Sequence, residues 1–350
     1  MILLSPVKKI YEIRSDNMMV GFMRNGRKPF RFVRLLAKTC AYNDIDLVYF
    51  SPRNVDIEKK TVKGQVLIKN KWMTKEVPIP PFIDTTPYCF KNEKVTEFLR
   101  KNSTLSTDSI GTKDEIYNKI KEDGEFAHLL IPTGEYSNFE EFLNFINTHK
   151  TIVIKPKAGL RGHNIYMVKQ LRRNKFLISY QQSEEKMNKE KLKQLYEDTW
   201  HGDGHILQKY ITSRTKSGDP FDCRVRLEKN GRGKWSVAIY LVRIGSNQKV
   251  VSNVAQGGSV TTLTAFLEGN FPEEKERLKE AIRRIAKTLP YKIEELFDVN
   301  FSALGLDIGI DQETNLYLFE VENGPGTEFG EGQIASAKTE YYNYISKKLS

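Results

Sequence analysis

The sequence predicts a multidomain chain of mixed class, α/β in its first part and α+β beyond it. Three observations carry that expectation. Phe32 to Cys40 has helical spacing and leads to a short apolar strand, Asp46 to Phe50, the helix-then-strand order of an α/β layer. Ile152 to Lys155 and Ile165 to Val168 read as strands joined by a loop that carries Gly159 and Gly162. Leu304 to Asp311 and Leu316 to Glu322 each alternate apolar with polar or small residues, the period of a strand with one covered face. At 350 residues the chain is long enough for two or three domains with sizeable cores.

In the first part, Gln65 to Ile68, Trp72 and the prolines Pro78, Pro80 and Pro81 make extended segments with a turn-rich exit. Lys94 to Lys101 is a short helix, and the polar stretch NSTLSTDSIGT after it is read as a linker, with a boundary near Ser106. DEIYNKIKED then forms an amphipathic helix, IPTGEY a strand entry and turn, and Asn138 caps the helix FEEFLNFINTH. Glu184 to Trp200 is expected to be a charged helix, and His205 to Ile211 a strand whose backbone could serve as an edge for a purine. Phe221 to Leu227 places Asp222, Arg224 and Arg226 on one face, with a turn at Asn230-Gly231 and a partner strand from Lys234 to Arg243. Pro272 to Leu289 is a helix with proline and acidic residues in its first turn, and TEYYNYISKKL closes the chain as another helix.

Composition narrows the function classes. Hydrophobic content of 39% and charged content of 28% describe an ordinary globular protein. No run approaches the roughly 18 apolar residues of a membrane helix, and MILLSPVKKI is too quickly charged for a signal peptide. Cys40, Cys89 and Cys223 lie far apart with no CxxC spacing, so neither a disulfide framework nor a zinc site is indicated. A cytoplasmic location is the resulting expectation. The net charge of +11 is scattered along the chain, which suits an enzyme that handles polyanions such as ATP or acidic peptides. No RNP, helix-turn-helix or zinc-finger pattern speaks for nucleic acid.

Two stretches carry candidate chemistry. With a four-residue loop at Gln312 to Asn315, the last hairpin sets Asp307 opposite Glu320, and Glu322 opposite Gly305 on the same face. Facing carboxylates repel, so they call for a cation between them, and oxygen ligands at that spacing suit Mg²⁺. A merely acidic, solvated face is the alternative. The strand–loop–strand around Gly159 and Gly162 is not a P-loop or a dinucleotide fingerprint, because both need a helix after the glycines. It can fold backbone N–H groups over an anion, with Lys155, Lys157, Arg161 and His163 in or beside it, or it is simply a basic turn. Two arginines on one strand face, Arg224 and Arg226, matter only if that face looks into the carboxylate site.

In order, these pieces resemble the ATP-grasp superfamily, and within it the YheC/YheD family of spore-coat-associated proteins. VYFSPRNVDIEKKTVKGQVLIKNKWMTKEVPIPP, GTKDEIYNKIKEDG, IPTGEY, TIVIKP, AGLRGHNI, FDCRVRLEKNGRGKWSV, SNVAQGG and LGLDIGID…LYLFEVENGPG carry the resemblance over most of the chain. It implies a preATP-grasp α/β domain over 1–105, a lid or central subdomain over 106–212 and a C-terminal subdomain with the metal site over 213–350. It also implies a chemistry in which a carboxylate attacks the γ-phosphate of ATP and an amine then displaces phosphate from the acylphosphate. Lys113 and Lys155 match ATP lysines, Gly159, Arg161 and Gly162 the phosphate loop, and Gln208, Lys209, Tyr210 and Ile211 the adenine edge. Asp307, Glu320 and Glu322 match ligands of what the resemblance implies are two Mg²⁺ ions, and Arg224, Arg243 and Asn253 positions facing phosphate or acylphosphate. A kinase that stops at phosphorylation and a non-catalytic scaffold share the same fold. The chain departs from the family at Glu322, where an asparagine is usual and Asn323 follows one place late, and at Leu160 and Arg161, where small residues are common in the loop.

Overall fold

The computed structural model describes residues 18–157, 164–181, 183–202, 204–245 and 258–349. The apolar run Met18–Met23 forms β1, followed by α1 (Arg31–Tyr42) and β2 (Ile45–Phe50), and β1 pairs in parallel with β2. Phe32, Val33, Leu36, Ala37 and Cys40 are the buried residues of α1, the stripe that its spacing predicts. Next come β3 (Val55–Asp56) and the hairpin of β4 (Thr61–Ile68) with β5 (Lys71–Pro78). Lys69 and Asn70 join that hairpin at φ of 46° and 64°, the sign that a tight two-residue turn requires. The layer is completed by β6 (Phe82–Asp84), parallel to β1, by α2 (Glu93–Asn102) and by β7 (Thr104–Leu105), parallel to β6. The stretch expected to be a linker thus contributes a strand, and Ser106 and Thr107 behind it are buried.

The second sheet runs β12-β11-β10-β9-β13-β8, antiparallel wherever its strands pair. Its strands are β8 (Thr133–Gly134), β9 (Thr151–Pro156), β10 (Tyr166–Arg172), β11 (Lys175–Tyr180), β12 (Ser183–Asn188) and β13 (His205–Lys209). Helix α3 (Lys113–Asp123) precedes it, and α4 (Phe139–His149) packs Phe142 and Ile146 onto it with Tyr196 and Trp200. Asn138 caps α4, accepting from the Glu141 amide at 3.0 Å as expected. One expectation fails. Glu184 to Asn188 is the edge strand β12, and only Lys189–Leu195 (α5) is α-helical before a wider turn at Tyr196–Trp200. The strand SEEKMN buries Met187 alone, so charged residues on both faces leave no periodicity to read.

The third sheet runs β16-β15-β14-β17-β18. It comprises β14 (Phe221–Lys229), β15 (Trp235–Ile244), β16 (Ser259–Thr262), β17 (Ala303–Ile310) and β18 (Leu316–Glu322), with α6 (Leu263–Asn270) and α7 (Lys275–Phe297) between β16 and β17. Leu278, Ile282, Ile285, Leu289 and Ile293 of α7, and Ile116 and Ile120 of α3, share one core with this sheet. Helix α7 begins at Lys275, so Pro272 lies in the turn before it rather than in its first turn. Strand β17 is buried almost throughout, and truncating Leu306 to alanine would cost roughly 2–5 kcal/mol. The last helix, α8 (Glu331–Leu349), returns to the first sheet, where Ile334, Tyr342 and Ile345 pack with Phe32 and Leu36.

The final hairpin has the expected partners at its site end and different ones at its turn. Asp307 pairs with Glu320 and Gly305 with Glu322, but Ile310 rather than Asp311 faces Leu316. The loop is therefore one residue longer than expected, and a bulge at Phe319 restores the register. Asp311 instead organises the loop, its carboxylate accepting from the amides of Glu313 and Asn315.

Candidate active site

Strand alternation brings Asp222, Arg224 and Arg226 of β14 to the face of the sheet that carries Asp307. Arg224 lies opposite Asp307, and Asp307 opposite Glu320, in one row across β14, β17 and β18. Arg224 grips Asp307 bidentately, through Nε to Oδ1 and through a terminal nitrogen to Oδ2 at 3.0 Å. Its other terminal nitrogen sits 2.8 Å from Glu322 Oε2. Arg243 on β15 donates to Asp307 Oδ2 at 2.8 Å and is itself held by buried Asp222. Burial pushes the Asp307 carboxyl up, but Arg224 and Arg243 outweigh it and hold the group below the usual carboxylate range. The cations that the facing carboxylates demand are thus supplied in part by the protein itself. Glu322 is the exception: burial, with Asp307 and Glu320 adding to it, raises its pKa despite Arg224.

Beside this face opens a cleft lined by α3, the second sheet and β18, and lined among others by Lys113, Tyr117, Lys155, Gln208 and Glu320. Lys113 is the first residue of α3, whose start is set by a capping box between Thr112 and Glu115. Its ammonium pairs with Glu320 at 2.9 Å. Lys155 approaches from the end of β9, half-buried, and its pKa is lowered to about 8 by burial, with Lys113 adding to the effect and Glu320 and Asp114 opposing it. Gln208 donates to Thr133 Oγ1 at 3.1 Å, which fixes its side chain on the cleft wall.

The residues expected on sequence grounds divide three ways. Lys113, Lys155, Gln208 and Glu320 meet in the cleft, and Arg224, Arg243, Asp307 and Glu322 meet on the adjoining face. Gly159, Arg161, Gly162 and Asn253 lie outside the described residues. Of the backbone edge, Lys209 and Tyr210 have their amides committed to the carbonyls of Pro132 and Thr151. Those two amides are taken up within the sheet, the Tyr210 hydroxyl accepts from Arg214, and Ile211 is buried. Sequence reasoning missed Tyr117, whose hydroxyl donates to the Ile131 carbonyl on the cleft wall, and Tyr88, whose phenol is raised by burial and by Glu322 and Glu320. It also left Asp222 without a task, although the alternation of FDCRVRL had already set it beside Arg224.

Glu320 and Glu322 are the more accessible carboxylates of the face, and both offer only oxygen. Among the described residues, no three acidic, histidine or cysteine side chains gather closely enough to enclose a metal by themselves. Two such oxygen donors are of the kind that Mg²⁺ takes, with water and phosphate oxygens completing its shell.

Comparison with known proteins agrees with this architecture. A family profile described as YheC/D like ATP-grasp matches residues 102–347, more than half of the chain. The endospore coat-associated protein YheC of Bacillus subtilis is 23% identical over 326 residues, covering 88% of each chain. The corresponding YheD is also 23% identical, over 85% of this chain and 70% of its own length. Among solved structures, a Chryseobacterium gregarium RiPP-associated ATP-grasp ligase in complex with ADP and a leader and core peptide superposes with a TM-score of 0.53 at 12% identity, covering 94% of this chain and 97% of its own. The D-cycloserine synthetase DcsG gives 0.54 at 12% identity over 92% of this chain and 99% of its own. The ATP-grasp ligase PsnB, complexed with a phosphomimetic precursor variant, Mg and ADP, gives 0.52 at 11% identity over 95% and 98%. At those identities the likeness shows the fold, which is ATP-grasp.

Proposed function

Since the chain belongs to the YheC/D-like ATP-grasp family, we propose that it is an ATP-dependent carboxylate–amine ligase that works through an acylphosphate. A carboxylate oxygen of the first substrate, an amino acid or peptide, attacks the γ-phosphorus of ATP, the bond to the β–γ bridging oxygen breaks, and ADP leaves. The amine of the second substrate then attacks the acyl carbon and inorganic phosphate departs. In this reading the chain divides at 1–105, 106–212 and 213–350, with α3 and α8 reaching across to neighbouring cores.

The observation that carries the reading is the junction of a lysine-bearing cleft with an arginine–carboxylate face. Phosphoryl transfer asks a protein mostly for positioning and for positive charge around the transferring group. Lys113 and Lys155 would hold nucleotide phosphates, Gly159, Arg161 and Gly162 would close over them, and Gln208 to Ile211 would border the base. Arg224, Arg243 and Asn253 would hold the acylphosphate, and a planar guanidinium does so by paired hydrogen bonds that an ammonium cannot copy. Glu320, Glu322 and Asp307 would hold Mg²⁺, two ions in the full site, whose contribution is to offset phosphate charge. A cytoplasmic location goes with this reading because ATP is supplied there. No described helix is long and apolar enough to cross a membrane.

The test is ADP release measured against pools of amino acids and peptides, with mass spectrometry of the products. Phosphate released only when an amine is present supports the ligase. A phosphorylated product without an amine turns the reading into a kinase, and ADP binding without any turnover turns it into a scaffold.

A further inference from the structure

Farther along the same face, past Glu322, lies a second set of charges that the proposed reaction does not use. Arg226 is only 4% exposed and stands on β14 opposite Gly305 of β17. One terminal nitrogen donates to the carbonyls of Pro325 at 2.5 Å and Gly326 at 3.0 Å, and Nε donates to Glu228 Oε1 at 2.9 Å. Glu228 lies 3.3 Å from Lys338 of α8, and Lys338 lies 2.7 Å from Asp84 at the end of β6. Asp84 also accepts from Tyr342 at 2.7 Å and Arg24 at 2.8 Å. Burial alone would push Asp84 up, but Lys338 and Arg24 hold it well below the usual range.

A chain of buried charges of this kind is poorly explained as a source of stability, because desolvation offsets most of the mutual attraction and apolar replacements often do as well. Its geometry has a clearer consequence. Gly305↔Glu322 is the last pair of the β17–β18 ladder, so the turn beyond Glu322 has no strand partner. Arg226 reaches that turn over Gly305, where a Cβ would come within 3.0 Å of Pro325 and 3.5 Å of Glu322. Asn323 is tied separately, accepting from Thr107 at 2.9 Å and donating to the Asp108 carbonyl at 2.7 Å.

We propose that Arg226, held by Glu228 and through it by Lys338 and Asp84, is a positioning residue for Glu322. By fixing the carbonyls of the turn that starts where β18 ends, it sets where Glu322 stands relative to Glu320 and Arg224. The chain of charges also ties that placement to the strand ends of the first sheet. The role given to Glu322 rests on the ligase reading, whereas the pinning of the turn does not.

Hydrogen exchange on the ligand-free protein tests the pinning directly. Arg226→Met should speed exchange of the amides of Glu322, Asn323, Gly324, Gly326 and Thr327 by about tenfold or more while the β14–β17 ladder keeps its protection. Arg226→Lys, which keeps the charge but not the fork, should fall between. Manganese binding followed by paramagnetic resonance in the presence of ADP supplies the second readout. Half-saturation should rise about 10-fold to 100-fold in Arg226→Met, with metal-free ADP affinity held within about twofold and partial rescue in Arg226→Lys. Glu228→Gln should move both readouts the same way, and it stands in if Arg226→Met does not fold. Unchanged exchange at 322–327, or loss of protection spread evenly over the sheet, overturns the proposal. Wild-type protein that binds neither ADP nor manganese overturns the ligase reading instead, and the exchange result still decides the pinning.

Discussion

Lys155 closes β9 at the edge of the cleft, and burial draws its pKa to about 8 against the pull of Glu320. Near pH 7 about nine tenths of it is charged in the free protein, and near pH 9 about one tenth. A bound polyphosphate favours the charged form and returns the group toward its ordinary value of about 10.4. Binding therefore takes up a proton wherever the free lysine is neutral, so affinity is full below about pH 8 and declines above it. The structure thus predicts that the association constant for ADP, measured without metal, falls about tenfold between about pH 7 and about pH 9, or about 1.4 kcal/mol. Titration calorimetry in two buffers of different ionisation enthalpy reads both quantities, and uptake should approach one proton per nucleotide at the upper pH. Lys155→Arg keeps a charge that does not titrate there, so its profile should be flat. A wild-type affinity independent of pH would refute the reasoning. So would a slope that survives in Lys155→Arg, because another group would then be titrating.

Arg224→Lys loses the two-pronged grip on Asp307 and should lower turnover about 100-fold or more while nucleotide affinity changes little; equal turnover would return Arg224 to a structural role. Glu322→Asn should stay active but need more Mg²⁺ for half-saturation, read by titrating Mg²⁺ against ADP release. Asn323→Ala should leave that Mg²⁺ dependence alone and lower the urea midpoint, since the Asn323 side chain holds Thr107 and Asp108; the reverse pattern would make Asn323 the ligand. Asn138→Ala removes the cap of α4 and should cost about 1 kcal/mol in urea unfolding without touching catalysis.

Elements whose pattern is dictated by one neighbour were legible from the residues alone. The stripe of α1 and the alternation of FDCRVRL follow from local periodicity, and the cap of α4 follows from an Asn138 side chain that accepts from the first turn. The pairing of Asp307 with Glu320 also came out as expected, though through two compensating departures. A longer loop shifts the register by one residue and the bulge at Phe319 shifts it back, and a side-chain period of two cannot reveal where along a strand such a slip occurs.

By itself, then, the sequence determined the α/β and α+β layering, the hairpin that bears the carboxylates and the face on which Arg224 stands. Tertiary structure decided what those groups touch. SEEKMN became an edge strand because β11 was there to pair with it, and its own residues carry no one-sided pattern. Helix α8 packs on α1, and Lys338 meets Asp84 across 254 positions of chain. Arg226 likewise finds Pro325 across 99 positions. Contacts at such separations depend on how three sheets stack, and local propensity holds no record of that, so whether a buried charge is solvated, paired or holding a turn is settled only when the layers close.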